Sequence, residues 1–216
     1  MSNLGIFTHH ERYLQTIKTI DSIRTYAPNC AITLIDSSAD SIEQYENLIK
    51  SQVDEFINNS NNEVVQKIIS TVNESAAKSV VETYVLANLL KNWNTRASRI
   101  YKISGRYCLT DKFNVTEQDP DTESFIFKDK WGNNWPEGWC DIPHQYPTYG
   151  FSFPANQQLF MIDVFEKSHE LILEHVNTGR YCDIEHALYK FIPEEKVKLI
   201  NINAVEGLLA QNGQNT

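Results

Sequence analysis

The chain has 216 residues, with 19 Lys+Arg against 28 Asp+Glu and a formal net charge of −9. That length suits one domain, or two small ones, and buries roughly 70% of the extended surface, so a core forms without metal or disulfide staples. The acidic balance disfavours a general nucleic-acid binder, the ordinary composition excludes disorder and coiled coil, and no apolar run approaches the ~20 residues of a membrane span.

In chain order, Leu4 to Phe7 is a short apolar run, and Thr8-His9-His10-Glu11 has the T-x-x-E spacing of a capping box. Leu14, Ile17, Ile20 and Ile23 recur every third residue and predict one apolar helix face, which Pro28 and Asn29 end. Ala31 to Ile35 reads as a buried strand ending at Asp36. Strand, helix, strand with short joints is a β-α-β unit, so the expected class is α/β with a mostly parallel central sheet flanked by helices, in a single domain. Ser41 to Ile49 predicts a second helix, Phe56-Ile57 a short strand, Asn58 to Glu63 a loop, and Ala76 to Leu90 a long helix with Val81, Tyr84, Val85 and Leu89 inward. Ile100 to Ile103 is a clear strand stopped by Ser104-Gly105-Arg106, and Phe125 to Phe127 is another.

From Trp131 to Pro154 three tryptophans and four prolines give a texture too broken for a regular helix. Helices follow at Gln157 to His175 and Asp183 to Phe191, then a strand at Val197 to Ile202, and the polar tail after Leu209 frays. With no basic-then-apolar leader, and with Cys30, Cys108, Cys140 and Cys182 widely spaced, the expectation is a cytoplasmic protein with reduced thiols.

Ligands of open parallel sheets bind beyond the carboxyl ends of the strands. The residues at those ends are Phe7, Thr8 and His9, then Asp36, then Ser104, Gly105 and Arg106. Asp36 can accept from a ribose or a base, or it can cap a turn with Ser37 and Ser38. Glycine admits close backbone approach, and arginine forks onto phosphate oxygens. The aromatic stretch suits an acceptor lobe, because Trp and Tyr rings lie well on the C–H faces of sugars; Trp135, Trp139 and Tyr149 are the candidates. Alternatively, those rings close a small irregular subdomain.

Lys78-Ser79-Val80-Val81-Glu82 followed by Tyr101-Lys102-Ile103-Ser104-Gly105-Arg106-Tyr107-Cys108-Leu109 resembles small bacterial and viral glycosyltransferases of the GT-A fold. Many of these carry K-x-S/T-G-R-Y where better-known members have D-x-D. Tyr149 to Pro154 and Asp183-Ile184-Glu185 also fit, so the resemblance spans most of the chain. It implies a nucleotide-binding part at about 1–110, an acceptor part at about 111–209 and a tail at 210–216. The implied reaction is transfer of a hexose from a nucleotide diphosphate sugar to a glycan hydroxyl.

In typical members D-x-D holds Mg²⁺ or Mn²⁺ against the diphosphate. Ser104-Gly105 offers no carboxylate, so the expectation is that Arg106, with Lys78 or Lys102, supplies the positive charge and that no residue is assigned to a metal. The literal D-x-D at Asp119-Pro120-Asp121 lies in a polar loop and reads as solvated turn residues. Asp183 and Glu185 open a late helix where such enzymes present the acceptor's general base; Glu185 is the candidate base, Asp183 its companion or an N-cap. Two rivals remain. A sugar-1-phosphate nucleotidyltransferase needs a Gly-rich basic loop that Phe7 to Glu11 does not provide, and a catalytically silent nucleotide- or glycan-binding protein would also lack the metal motif.

Overall fold

The computed structural model describes residues 7–38, 43–115, 123–133, 135–200 and 204–207. In chain order they form α1 (His9–Tyr26), β1 (Thr33–Asp36), α2 (Glu43–Lys50), β2 (Glu55–Asn58), α3 (Glu63–Thr71), α4 (Glu74–Asn92), β3 (Arg99–Ile103) and β4 (Tyr107–Leu109). Then come β5 (Phe125–Phe127), β6 (Trp131–Gly132), β7 (His144–Gln145), β8 (Gly150–Pro154), α5 (Gln158–Asn177), α6 (Ile184–Phe191), β9 (Val197–Leu199) and β10 (Val205–Gly207).

The described residues of 1–62, 103–120 and 202–216 make one compact unit. The capping box at its first helix is real. Thr8 Oγ1 accepts from the Glu11 N–H at 3.2 Å, and the Thr8 N–H donates to Glu11 Oε2 at 2.7 Å, satisfying two orphan donors of α1. One face of α1, with Ile17, Ile20 and Ile23, packs with Ile32, Leu34 and Ile49. A second, polar face lies along β4, where Ser22 Oγ accepts from the Leu109 N–H at 2.9 Å. Leu14, expected inward, is 45% exposed, because neither of those faces includes its position. β1 and β2 pair in parallel from Thr33↔Glu55 to Asp36↔Asn58, and β10 pairs antiparallel with β4.

The described residues of 63–102 and 121–201 form the second unit. Its core gathers Leu90, Phe125, Phe127, Tyr146, Phe151, Phe153, Met161, Phe165 and Leu188, each worth roughly 1.5–3 kcal/mol when buried. α5 buries Met161, Val164, Phe165, Ser168, Leu171, Ile172 and His175, the 3-and-4 spacing of one helix face, and packs along α4. The four-stranded sheet runs β3-β8-β5-β9.

That sheet corrects the expected mostly parallel arrangement. β5 pairs antiparallel with β8 and parallel with β9, so the fold is α/β with mixed pairing. The connection decides the direction. Among the described residues of 128–149, which return from β5 to β8, there is no crossover helix, whereas α5 and α6 intervene before β9. The stretch from Trp131 to Pro154 thus ends in a buried strand that its prolines conceal. α3, β4 and β10 also went unread in the sequence. Residues Leu4–Ile6 of the expected first strand, the start of the second helix, Asp119-Pro120-Asp121, Asn201-Ile202 and the tail after Leu209 lie outside the described residues.

Candidate active site

The second unit holds both acidic candidates at the start of α6. Asp183 is its N-cap: Oδ1 accepts from the His186 N–H at 3.0 Å and from His186 Nδ1 at 2.7 Å, and Oδ2 accepts from the Tyr181 hydroxyl at 2.7 Å. Burial pushes this carboxyl up, but the His186 ring and backbone, with Tyr181, outweigh it and hold Asp183 below the usual carboxylate range. Both oxygens are therefore engaged in supporting the helix start. His186 itself is fully buried, and among the described residues its Nε2 has no hydrogen-bond partner.

Glu185 is placed differently. Its Oε1 accepts from the Thr148 N–H at 3.0 Å and from Thr148 Oγ1 at 3.2 Å, while among the described residues no donor reaches Oε2. Burial, then the charge of Asp183, pushes its pKa from 4.5 to about 7 against the pull of the Thr148 bonds. A carboxyl that titrates near neutrality exchanges protons at working pH, as a general base must.

Thr148 is fixed from its other side. Lys102 Nζ donates to the Thr148 carbonyl at 2.7 Å and pairs with Glu82 Oε1 at 2.6 Å. Strand alternation left the direction of Lys102 open; its ammonium turns to this network. Glu82 and Thr148 were invisible as site residues because their partners lie far away in sequence.

The exposed tryptophans join the same end of α6. Trp135 and Trp139 are 42% and 48% exposed, with ring centroids 5.5 Å apart, and Trp135 lies 4.6 Å from the Tyr181 ring whose hydroxyl binds Asp183. Trp135, Trp139, Tyr181, Asp183 and Glu185 are thus brought together. Tyr149 is buried, 6.2 Å from the Trp131 ring and 5.2 Å below Lys128 Nζ. Cys140 and Cys182 are buried free thiols, both pushed up by burial and Cys182 strongly so, and neither is a ready nucleophile.

The other candidates sit in the first unit, except Lys78, which is on the exposed surface of α4 in the second. Thr8 is committed to the capping box, and His9 is the exposed first residue of α1. Asp36 takes the turn alternative, with Oδ1 accepting from Ser38 N at 2.9 Å and Ser38 Oγ at 2.6 Å. The Ser104 carbonyl accepts from Arg106 N at 2.8 Å and Tyr107 N at 2.9 Å, a tight turn. A Cβ added at Gly105 would lie 3.3 Å from Thr16 Oγ1, so the glycine admits α1 to this turn. Phe7 lies 5.5 Å beneath the Arg12 guanidinium, and the charge of Arg106 acts on Arg12, so Phe7, Gly105 and Arg106 converge on α1.

The donor set at Ser104, Gly105 and Arg106 does not fit a hard cation, since it offers a guanidinium and no carboxylate. Among the described residues no group of three or more His, Cys, Asp or Glu side chains could hold a metal. No helix among them is long and apolar enough to cross a membrane.

No protein-family model and no curated protein matches the sequence. Among solved structures, the fold is similar to that of the galactosyltransferase LgtC in complex with donor and acceptor sugar analogues. The TM-score is 0.55 with 13% sequence identity, covering 87% of this chain and 68% of that one. The α/β fold is therefore one that a glycosyltransferase uses.

Proposed function

We propose, taking that shared fold as the premise, that this chain is a glycosyltransferase that moves a hexose from a nucleotide diphosphate sugar to a hydroxyl of a glycan. The observation that carries the reading is the Glu185 carboxyl, half-buried, titrating near neutrality, and held at one oxygen by Thr148 while the other is left without a donor among the described residues. In an inverting transfer the acceptor hydroxyl gives its proton to Glu185 Oε2. The hydroxyl oxygen then attacks the anomeric carbon, and the carbon–oxygen bond to the diphosphate breaks with its electron pair leaving on phosphate. Within the first unit, Arg106 is the residue proposed to bind a diphosphate. Asp183 positions α6 and Tyr181, and Trp135 with Trp139 offers ring faces to the acceptor sugar. The four free cysteines suit a reducing cytoplasm.

The first test is thermal stabilisation by UDP, GDP and CMP, each with and without Mn²⁺. Stabilisation by one diphosphate without Mn²⁺ is expected. No response to any nucleotide removes the nucleotide-sugar reading, and a strict Mn²⁺ requirement removes the role given to Arg106.

A further inference from the structure

Carboxylates are abundant in this chain, and many of its cations have one. Arg24 pairs with Asp54, Lys50 with Glu46, Lys91 with Glu166, Lys130 with Glu194 and Arg180 with Asp141. Arg12 and Arg106 are among the cations that do not. Both are half-buried, and among the described residues no carboxylate pairs with either. Two guanidinium groups that feel each other's charge inside an acidic protein repel in the unliganded state.

Two further polar atoms at this place lack partners. Arg106 Nε is a buried donor and Gln15 Oε1 a buried acceptor, and among the described residues neither has a hydrogen-bond partner. A buried donor or acceptor left unsatisfied is destabilising. Gln15 follows Arg12 by three residues on α1, so the two share a helix face. Thr16, next along that helix, is the residue that touches Gly105, which brings the 104–106 turn against the same stretch of α1.

We infer that Arg12, Gln15 and Arg106 form an anion site for a nucleoside diphosphate, in which both guanidiniums take phosphate oxygens and Gln15 Oε1 accepts from a ribose hydroxyl or a base N–H. The ligand would supply both missing partners: anionic oxygens for the paired cations and a hydrogen-bond donor for the amide oxygen. The naming of a nucleoside rests on the glycosyltransferase reading; the demand for a phosphate-type anion rests on the arginines alone. Arg12 and Gln15 were not legible as a site in the sequence, where they look like surface positions of an amphipathic helix.

The test is calorimetric titration of the full chain with pyrophosphate, UDP and GDP at low ionic strength, using wild type, Arg12→Met, Arg12→Lys and Gln15→Leu. Arg12→Met should weaken all bound anions by about tenfold or more, and Arg12→Lys by less. Gln15→Leu should weaken UDP or GDP but leave pyrophosphate unchanged. The unliganded melting temperature of Arg12→Met should equal or exceed that of wild type, because a repulsion is removed. Wild type that binds none of the three probes overturns the site, as does wild-type affinity in Arg12→Met. If nucleotide sugars are turned over and Arg12→Met matches wild type, this inference falls and the transferase reading stands. If Arg12→Met loses pyrophosphate but no nucleotide sugar is ever consumed, the anion site stands and the transferase reading falls.

Discussion

Replacing Glu185 by glutamine should make the protein more stable at alkaline pH while removing its proposed catalytic base. The carboxyl rises from 4.5 in the unfolded chain to about 7 in the folded one, chiefly through burial. Between those values the native state binds the extra proton, so the contribution of this group is complete below the lower value and is lost as pH rises through the upper one. At 1.36 kcal/mol per unit, that loss is about 3 kcal/mol at pH 8. The introduced amide keeps an acceptor for both Thr148 donors, now at 3.0 and 3.2 Å, and carries no charge to desolvate. Urea melts of both proteins from pH 4.5 to 8.5 read the difference directly. Glu185→Gln should match wild type near pH 4.5 and exceed it by up to about 3 kcal/mol at pH 8. A difference that stays flat across that range, or a variant less stable at pH 8, would refute the placement of a strained carboxylate here.

Asp183→Ala removes the N-cap of α6 and strips Tyr181 and His186 of their acceptor, so a loss of about 3 kcal/mol is expected in chemical denaturation, whereas Asp183→Asn should retain part of the cap. Wild-type stability in the alanine variant would contradict that. At Gly207 an added Cβ would fall against the Arg106 carbonyl oxygen and within 2.6 Å of the Tyr107 ring. Gly207→Ala should therefore cost about 1–3 kcal/mol and loosen the turn that carries Arg106, and an unchanged melting temperature would show that β10 does not sit as described. Trp135→Ala and Trp139→Ala expose little new core and should change stability by less than about 1 kcal/mol. Each should weaken binding of glycan fragments measured by tryptophan fluorescence of the remaining rings; unchanged glycan affinity in both would remove them from the acceptor site.

Local signals were the ones the sequence displayed well. The capping box at Thr8 and Glu11 involves residues three apart, and the 104–106 turn announces itself by its glycine. The helix start at Asp183 is likewise a contact within one turn. Strand direction was not legible in the same way. β8 reads as a proline-broken aromatic segment until Phe127, Ser152 and Lys198 are known to share one sheet. Site chemistry split along the same line. Glu185 was visible from its place at a helix start, but its proton affinity depends on Thr148, 37 positions away, and on burial supplied by the whole core. Lys102 reads from the sequence as a possible cation for the diphosphate and Glu82 carries no role there; only the fold turns the two to each other. The overall charge of −9 concealed Arg12 in a similar way, because what matters is that acids lie elsewhere.

The proposed role of Glu185 is tested most directly by the release of nucleoside diphosphate from UDP- and GDP-sugars, with a glycan acceptor mixture, between pH 5.5 and 8.5. Wild type should turn over one donor with a rate that rises through an apparent pKa near 7 and then levels. Glu185→Gln should fall by about 10²–10⁴-fold and lose that rise. A variant that keeps the wild-type rate and pH profile would show that Glu185 does not take the acceptor's proton.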